Sequence, residues 1–233
     1  MNTAVMRNIK TAVCLSVLFS AALSNLYAQN PAVFDHPLSA ETLPRYTALC
    51  AELSSHPVIK GSFEQTKTIR RLNRSLVSRG EFLIAAEHGM VWITSAPFPS
   101  TMAVGRDFII QSVPGGSKTK LDAGGNETFL SLADTISAIF TGNVQRLREQ
   151  FDNYFTESRT ADGTVWTLGL APRESAVRLF AERIILSGGA GGKSAAIRSI
   201  TIYERGGDSV SYTLWDHRFP AALEADEQAY FSL

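Results

Sequence analysis

The chain contains few of the residues that build disulfide frameworks and metal sites. Its 233 residues include two cysteines, of which Cys14 lies in an apolar N-terminal run, so Cys50 has no partner for an internal disulfide in the remaining chain. We therefore expect Cys50 to be a buried apolar thiol on a helix. A cysteine-based metal site is excluded, and the four histidines are scattered without metal-ligand spacing. They are His36, His56, His88 and His217.

An excess of one charge is also missing. Lysine and arginine together number 22, and so do aspartate and glutamate. Without residues 1–28 the net charge is about −2. This balance excludes a strong general affinity for nucleic acid and gives no basic stripe that would hold the chain permanently on anionic lipid.

No apolar run is long enough to span a bilayer, which takes about 20 residues. The longest, Thr11–Leu23, follows the basic residues Arg7 and Lys10 and precedes a possible cleavage site after Ala28. This order predicts a secretory signal peptide over residues 1–28 and one domain over residues 29–233. The alternative is an uncleaved N-terminal anchor helix.

Short β-rich runs separated by turn residues dominate from Val58 onward and predict an antiparallel meander. The predicted strands are Ile59–Thr68, Leu76–Ala86, Met90–Thr94, Thr101–Val104, Phe108–Val113, Thr164–Leu170, Val177–Leu186, Ala196–Tyr203, Ser209–Trp215 and Ala229–Leu233. Glycine-rich pairs, including Gly206-Gly207, mark hairpin turns.

Three amphipathic segments predict helices. The first follows Ser39 and ends before Pro57, and its true start is nearer Leu43 because Pro44 suits only a first turn. The second carries an apolar stripe from Phe129 to Phe140, with Gly142 as its stop. The third begins after the cap residue Asn143, with Val144, Leu147, Phe151, Tyr154 and Phe155 as its stripe. The predicted fold class is α+β: a strongly curved, unclosed, half-barrel-like antiparallel sheet of about ten strands, covered by about three helices.

A sheet of this size curls, and its apolar inner face must be filled. The helices could pack there permanently as an ordinary core, which periodicity alone favours. Alternatively they could form a lid over a cavity for an apolar ligand.

A set of motifs in the first strands favours the lid. Val58–Lys67 contains Phe63 and Gln65, the next strand contains Ser78, Gly80 and Phe82, and Trp92 ends an apolar strand shortly before Pro97. In this order the motifs resemble the signature of the LolA-like outer-membrane lipoprotein carriers, over about residues 38–233. The turn Glu87-His88-Gly89 departs from the Arg-Pro pair of that family, so the role of that arginine is not carried over.

The resemblance implies a monomeric periplasmic carrier without a cofactor that receives acyl chains inside a half-barrel. Its implied partners are a lipoprotein or lipid-linked cargo, an inner-membrane donor complex and an outer-membrane acceptor. A non-transporting sensor or interaction domain of the same fold is the alternative. The predicted cavity residues are Phe63, Phe82, Ile84, Trp92, Met102, Ile110, Ile136, Ile139 and Phe140.

The basic run around Arg70, Arg71 and Arg74 resembles that of a divergent subgroup of the family more than that of the lipoprotein carriers themselves. Members of this subgroup accompany the export of lipid-linked products such as aryl polyenes. These arginines are the candidate docking residues, for an acidic surface on a membrane partner or for anionic headgroups near the cavity. The alternative is a solvated hairpin tip.

One segment resembles a phosphate-binding loop. Residues 187–194 end in Gly-Lys-Ser after a strand, but Ser187 replaces the first glycine and a strand follows where a helix is required. A flexible hairpin loop is the better prediction. The chain also lacks the Gly-x-Ser-x-Gly motif of hydrolases. We therefore do not expect an enzyme.

Overall fold

The computed structural model describes residues 31–122, 135, 137–161, 163–190 and 195–232. Eleven strands in this part form one antiparallel sheet. The strands are β1 Val58–Ile69, β2 Arg74–Ala85, β3 Gly89–Ala96, β4 Ser100–Val104, β5 Phe108–Ser112, β6 Thr119–Asp122, β7 Phe151–Thr160, β8 Gly163–Pro172, β9 Arg183–Ala190, β10 Ala196–Tyr203 and β11 Ser209–Arg218. The helices are α1 Leu43–Leu53, α2 Val144–Gln150, α3 Ser175–Arg178 and α4 Ala225–Gln228, with short 3-10 helices at Ala32–Asp35, Arg70–Leu72 and Ala229–Phe231.

Two meanders make up the sheet. The strand order is β6-β5-β4-β3-β2-β1-β11-β10-β9-β8-β7, so β1 lies beside β11 and the edge strands β6 and β7 are not paired with each other. In this seam Phe63 lies opposite Leu214, and Gln65 lies opposite Tyr212. The predicted α+β class and the unclosed antiparallel sheet are confirmed.

The inner face of the sheet carries the main core, because every second residue of a strand points to the same side. Phe82 lies opposite Trp92, and Trp92 lies opposite Met102, so these side chains share the inner face. On the second meander, Leu186 lies between Leu168 and Ile200. All but Met102 are buried in the inner cluster.

Helix α1 begins at Leu43, as predicted, with Pro44 in the first turn, where a missing N–H breaks no hydrogen bond. Its buried residues are Tyr46, Leu49, Cys50 and Leu53. The prediction of a buried thiol is confirmed: Cys50 is fully buried, and burial raises its pKa to about 11.

Helix α2 is shorter than predicted. Asn143 caps it as expected, its Oδ1 accepting from the Arg146 N–H at 3.1 Å, but the helix ends at Gln150 and Phe151 begins strand β7. The predicted helical stripe through Phe155 is therefore wrong, because Phe151 and Phe155 point inward from a strand that pairs with β8 over its full length.

The polar side chain of Asn153 joins three elements at this point. Its Oδ1 accepts from the Tyr46 hydroxyl of α1 at 2.8 Å, and its Nδ2 donates to the Leu147 carbonyl of α2 and to the Phe151 carbonyl, each at 2.9 Å. These hydrogen bonds hold both helices over the side of the sheet that contains β7 and β8. The buried side chains of the helices then fill this half of the inner face.

The predicted strand Val177–Leu186 is partly wrong, and the predicted strand Ala229–Leu233 is wholly wrong. The first begins only at Arg183, after the short helix α3. In the second, Tyr230 and Phe231 belong to a 3-10 helix that packs on the outer face of the sheet. These two rings pack against an outer apolar cluster, so they are partly buried without forming another strand. The cluster consists of Val58, Leu83, Ala85, Val91, Ala103 and Ile110.

Ion pairs hold the C-terminal segment on the outer face. Lys60 of β1 pairs with Glu227 and, at 3.2 Å, with Glu224, and a capping box begins helix α4 at Glu224. In the part of the chain described here, no helix is long and apolar enough to cross a bilayer.

Candidate functional site

A cavity of about 780 Å³ lies on the inner face of the sheet. Strands β1, β3, β4, β5, β9, β10 and β11 contribute to its wall, as do the helical residues Ile139 and Phe140 and the connection from β8 to β9. The apolar lining residues are Met90, Trp92, Met102, Val104, Val113, Ile139, Phe140, Val177, Leu179, Phe180, Ala181, Ile184, Ile200, Ile202, Val210 and Tyr212.

An aromatic cluster supports the wall of the cavity at Trp92. The ring of Trp92 lies 4.8 Å from Phe63 and 5.8 Å from Phe82, centroid to centroid, and both phenylalanines are buried behind it. The edge-on ring of Tyr212 is 5.3 Å away across the sheet seam. Aromatic pairs at such distances contribute about 0.5–1.5 kcal/mol each beyond the burial of their area, so they stabilise this part of the cavity wall.

Polar side chains occupy only part of the lining. Gln65, Thr94, Ser100 and Gln111 lie on the same wall towards the open end. Burial raises the pKa of Tyr212 to about 12, so its hydroxyl stays neutral. This wall can hold apolar chains and supplies neutral hydrogen-bonding groups rather than a buried charge.

The cavity opens at one end of the sheet. Val113, Leu179 and Phe180 line it there and expose much of their side chains. Glu204 and Arg205 complete the opening, and Glu204 is paired with Lys67 at 2.6 Å. The opening is therefore apolar on one side and charged on the other.

Phe140 separates this cavity from a second pocket of about 660 Å³ towards the other end. Met90, Val104 and Phe140 line both spaces. The second pocket is polar at its outer side, where Arg106 and Asp107 lie.

The structure places four of the predicted cavity residues at the cavity: Trp92, Met102, Ile139 and Phe140. Phe63, Phe82 and Ile84 lie in the inner core, with Ile84 at the second pocket. Ile136 lies outside the described residues.

The prediction for Ile110 is wrong. Ile110 lies opposite Ala103 and belongs to the outer cluster, whereas Gln111 lies opposite Met102 on the inner face. Neighbouring residues of a strand face opposite sides of the sheet, so an error of one residue moves a side chain from the cavity to the outer face.

Arg70, Arg71 and Arg74 lie at the tip of the β1–β2 hairpin, close to the cavity opening. The backbone N–H of Arg70 donates to Asp208 at 2.9 Å, which joins this tip to the β10–β11 turn. Their role in docking stays a prediction.

Several cavity residues were not predicted from the sequence. Gln65 and Tyr212 continue the alternation of Phe63 and Leu214, which was the signal that could have found them. Leu179 and Phe180 form an apolar pair within a segment rich in charged residues, and this pair was the available sequence signal.

The phosphate-loop lookalike does not form a loop over its first half. Residues 187–190 belong to strand β9, and residues 191–194 lie outside the described part. A Cβ on Gly188 would lie 2.0 Å from the Ala196 carbonyl and 2.5 Å from Trp166 Cζ2, so close packing requires this glycine. In the described ranges no group of three or more histidine, cysteine or acidic residues is arranged to hold a metal ion.

No family model matches the chain, and no curated protein is similar to it at a significant level. Among solved structures, a DUF1329 family protein from Desulfovibrio piger is similar at 10% identity with a TM-score of 0.45, covering 81% of this chain and 95% of that one. A putative outer membrane lipoprotein-sorting protein domain from Vibrio parahaemolyticus has 10% identity, a TM-score of 0.39, and coverage of 80% and 94%. A LolA superfamily protein from Nitrosomonas europaea has 8% identity, a TM-score of 0.39, and coverage of 81% and 96%.

Proposed function

We propose that this protein is a periplasmic carrier that holds the apolar chains of a lipoprotein or lipid-linked product and moves them from an inner-membrane donor towards an outer-membrane acceptor. The observation that carries the proposal is the cavity of about 780 Å³ on the inner face, open at one end of the sheet. Its volume lies within the range of roughly 300–1,000 Å³ that is typical of ligand pockets.

The lining explains why an apolar chain would enter. Each CH₂ group that leaves water contributes about 0.8 kcal/mol, and the wall around Trp92, Met102 and Ile139 presents carbon atoms to such a chain. Holding and releasing a chain involves no bond making or breaking, so the proposal assigns no catalytic residue.

The alternative, a sensor or interaction domain without transport, expects the inner face to be filled by its own side chains. That is the arrangement of the half covered by α1 and α2, where Tyr46 and Phe151 are fully buried. The cavity in the half beside Trp92 favours the carrier.

Binding can be tested on protein purified from the periplasm by native mass spectrometry and by uptake of a fluorescent acyl probe. The carrier predicts a bound acylated or otherwise apolar adduct, or saturable uptake of the probe into the emptied protein. Consistent absence of both, in protein with intact β-sheet circular dichroism, would count decisively against it.

A matched pair of substitutions assigns the uptake to this cavity. Thr94 points into the cavity from β3, and Thr94→Trp would fill part of its volume. Thr213 is exposed on β11, and its neighbour Leu214 points inward, so Thr213→Trp adds the same ring on the outer face. We expect at least tenfold weaker uptake for Thr94→Trp and unchanged uptake for Thr213→Trp. Equal uptake by both variants would place the probe elsewhere.

A further inference from the structure

Exposed apolar side chains are concentrated at the end of the sheet where the cavity opens. Strands β1, β3, β5, β8 and β10 run in the same direction, so the segments that follow them meet at this end. Phe98, after β3, is 82% exposed, and Leu179, after β8, is 61% exposed. We call the full set the rim. It consists of Leu72, Leu76, Val77, Phe98, Val113, Leu179 and Phe180.

The rim is not a general property of the surface. Of the exposed large apolar side chains in the described ranges, just Leu121 and Trp215 lie away from it. Four separate segments each contribute to the rim, so it is not one poorly packed loop. A concentration of exposed apolar side chains in one region of a surface marks an interaction site.

Four arginines lie near the rim, in two neighbouring hairpin turns. Arg70, Arg71 and Arg74 lie on the β1–β2 tip and Arg205 on the β10–β11 turn, and within the described residues none of the four forms an ion pair with a carboxylate. The acids of the two tips are Glu204 and Asp208. Glu204 is paired with Lys67, and Asp208 accepts the Arg70 N–H.

This combination fits a membrane surface with anionic lipids. Leucine and phenylalanine side chains enter the boundary between headgroups and acyl chains, while arginines remain at the level of the headgroups and are attracted by their charge. An acidic protein would pair with the arginines but would leave the exposed apolar side chains of the four segments without an apolar partner.

We propose that the rim and its four arginines dock on the surface of an anionic lipid bilayer, with the cavity opening turned towards the lipid. The docking concerns the outer surface of this end and does not require a filled cavity. It is therefore separable from the proposed carrier function.

Flotation or co-sedimentation of purified protein with vesicles tests the docking, using phosphatidylcholine alone or mixed with phosphatidylglycerol. We expect binding to the anionic vesicles that weakens with added salt. The double variant Arg71→Glu/Arg74→Glu should bind at least about 30-fold more weakly, because each arginine near an anionic surface contributes about fivefold and each glutamate is repelled.

The matched control changes the same charge at the opposite end of the sheet. Arg106 lies in the β4–β5 turn and Arg159 near the end of β7, so Arg106→Glu/Arg159→Glu should bind as the unchanged protein does. A second variant, Leu72→Ser/Phe98→Ser, keeps all charges and should also weaken binding. Since all these positions are exposed, circular dichroism should show each variant folded.

Absence of binding to anionic vesicles by the folded protein would overturn the proposal, as would equal losses in the rim and control variants. Capture of an acidic protein by the arginines without vesicle binding would also overturn it. The Thr94→Trp variant distinguishes the two proposals: it should lose acyl uptake and still dock. Failure of uptake in all proteins with intact docking would refute the carrier and leave the docking surface standing.

Discussion

Substitution of Asn153 provides a quantitative test of how the packed half of the inner face is held. Its side chain makes three hydrogen bonds, to Tyr46, Leu147 and Phe151, at 2.8 to 2.9 Å. Each contributes about 1 kcal/mol net, and a buried group left without a partner costs about 1–3 kcal/mol. Asn153→Ala should therefore lower the free energy of unfolding by about 3–4 kcal/mol, since three hydrogen bonds are lost and the fully buried Tyr46 hydroxyl keeps just the weak acceptor Cys50 Sγ.

A double-mutant cycle makes the reasoning refutable. Tyr46→Phe alone should cost about 1.5 kcal/mol, because it leaves Asn153 Oδ1 without its donor. In the Asn153→Ala background the same substitution removes a hydroxyl that keeps just the weak partner Cys50, so it should cost much less. Urea unfolding followed by circular dichroism measures all four proteins. An equal cost of Tyr46→Phe in both backgrounds would refute the coupling.

The neighbouring residue supplies a control for this cycle. Asp152 pairs with Arg173 at 2.9 Å, and both side chains are more than half exposed. Asp152→Ala should change the free energy of unfolding by less than about 1 kcal/mol, as is usual for a surface ion pair.

Two further predictions concern a close backbone contact and a pH dependence. A Cβ on Gly80 would lie 1.9 Å from the Ile93 carbonyl oxygen, so Gly80→Ala should destabilise the protein by about 3 kcal/mol or more, and Ser78→Ala on the same strand by less than about 1 kcal/mol. Similar urea midpoints for the two would show that the strands part easily. Burial lowers the pKa of His217 below its ordinary value of 6.5, so its stabilising contribution is complete above that pH and declines as the pH falls. His217→Phe should therefore lose less stability than the unchanged protein between about pH 7.5 and about pH 5.5, and an identical loss would contradict this.

The strands were predictable where alternation and turn residues agreed. Ala196–Tyr203 has the predicted bounds, and positive φ angles at Gly206 and Gly207 confirm the following turn. The segment from Val144 to Phe155 failed because its apolar residues satisfy helical spacing and also place Phe151 and Phe155 on one side of a strand. Pairing with β8 decided between them, and such pairing is a long-range property that local spacing does not contain.

The cavity was predictable only in part for a related reason. Alternation places Trp92 and Met102 on the inner face once one residue of that face is known. No residue of β5 could be assigned to a face in this way, so Ile110 was predicted at the cavity where Gln111 lies on the inner face. Whether helices fill a curved sheet depends on side-chain volumes across the whole inner face. Apolar periodicity is the same in a filled and an unfilled sheet.

The position of β1 beside β11 determines when the cavity is formed during folding. Contacts within each meander are local, and such hairpins can form as soon as their strands exist, whereas the seam joins Gln65 to Tyr212 across almost the whole domain. Because both residues line the cavity, half a sheet has no binding space. The cavity is therefore complete only once β1 pairs with β11.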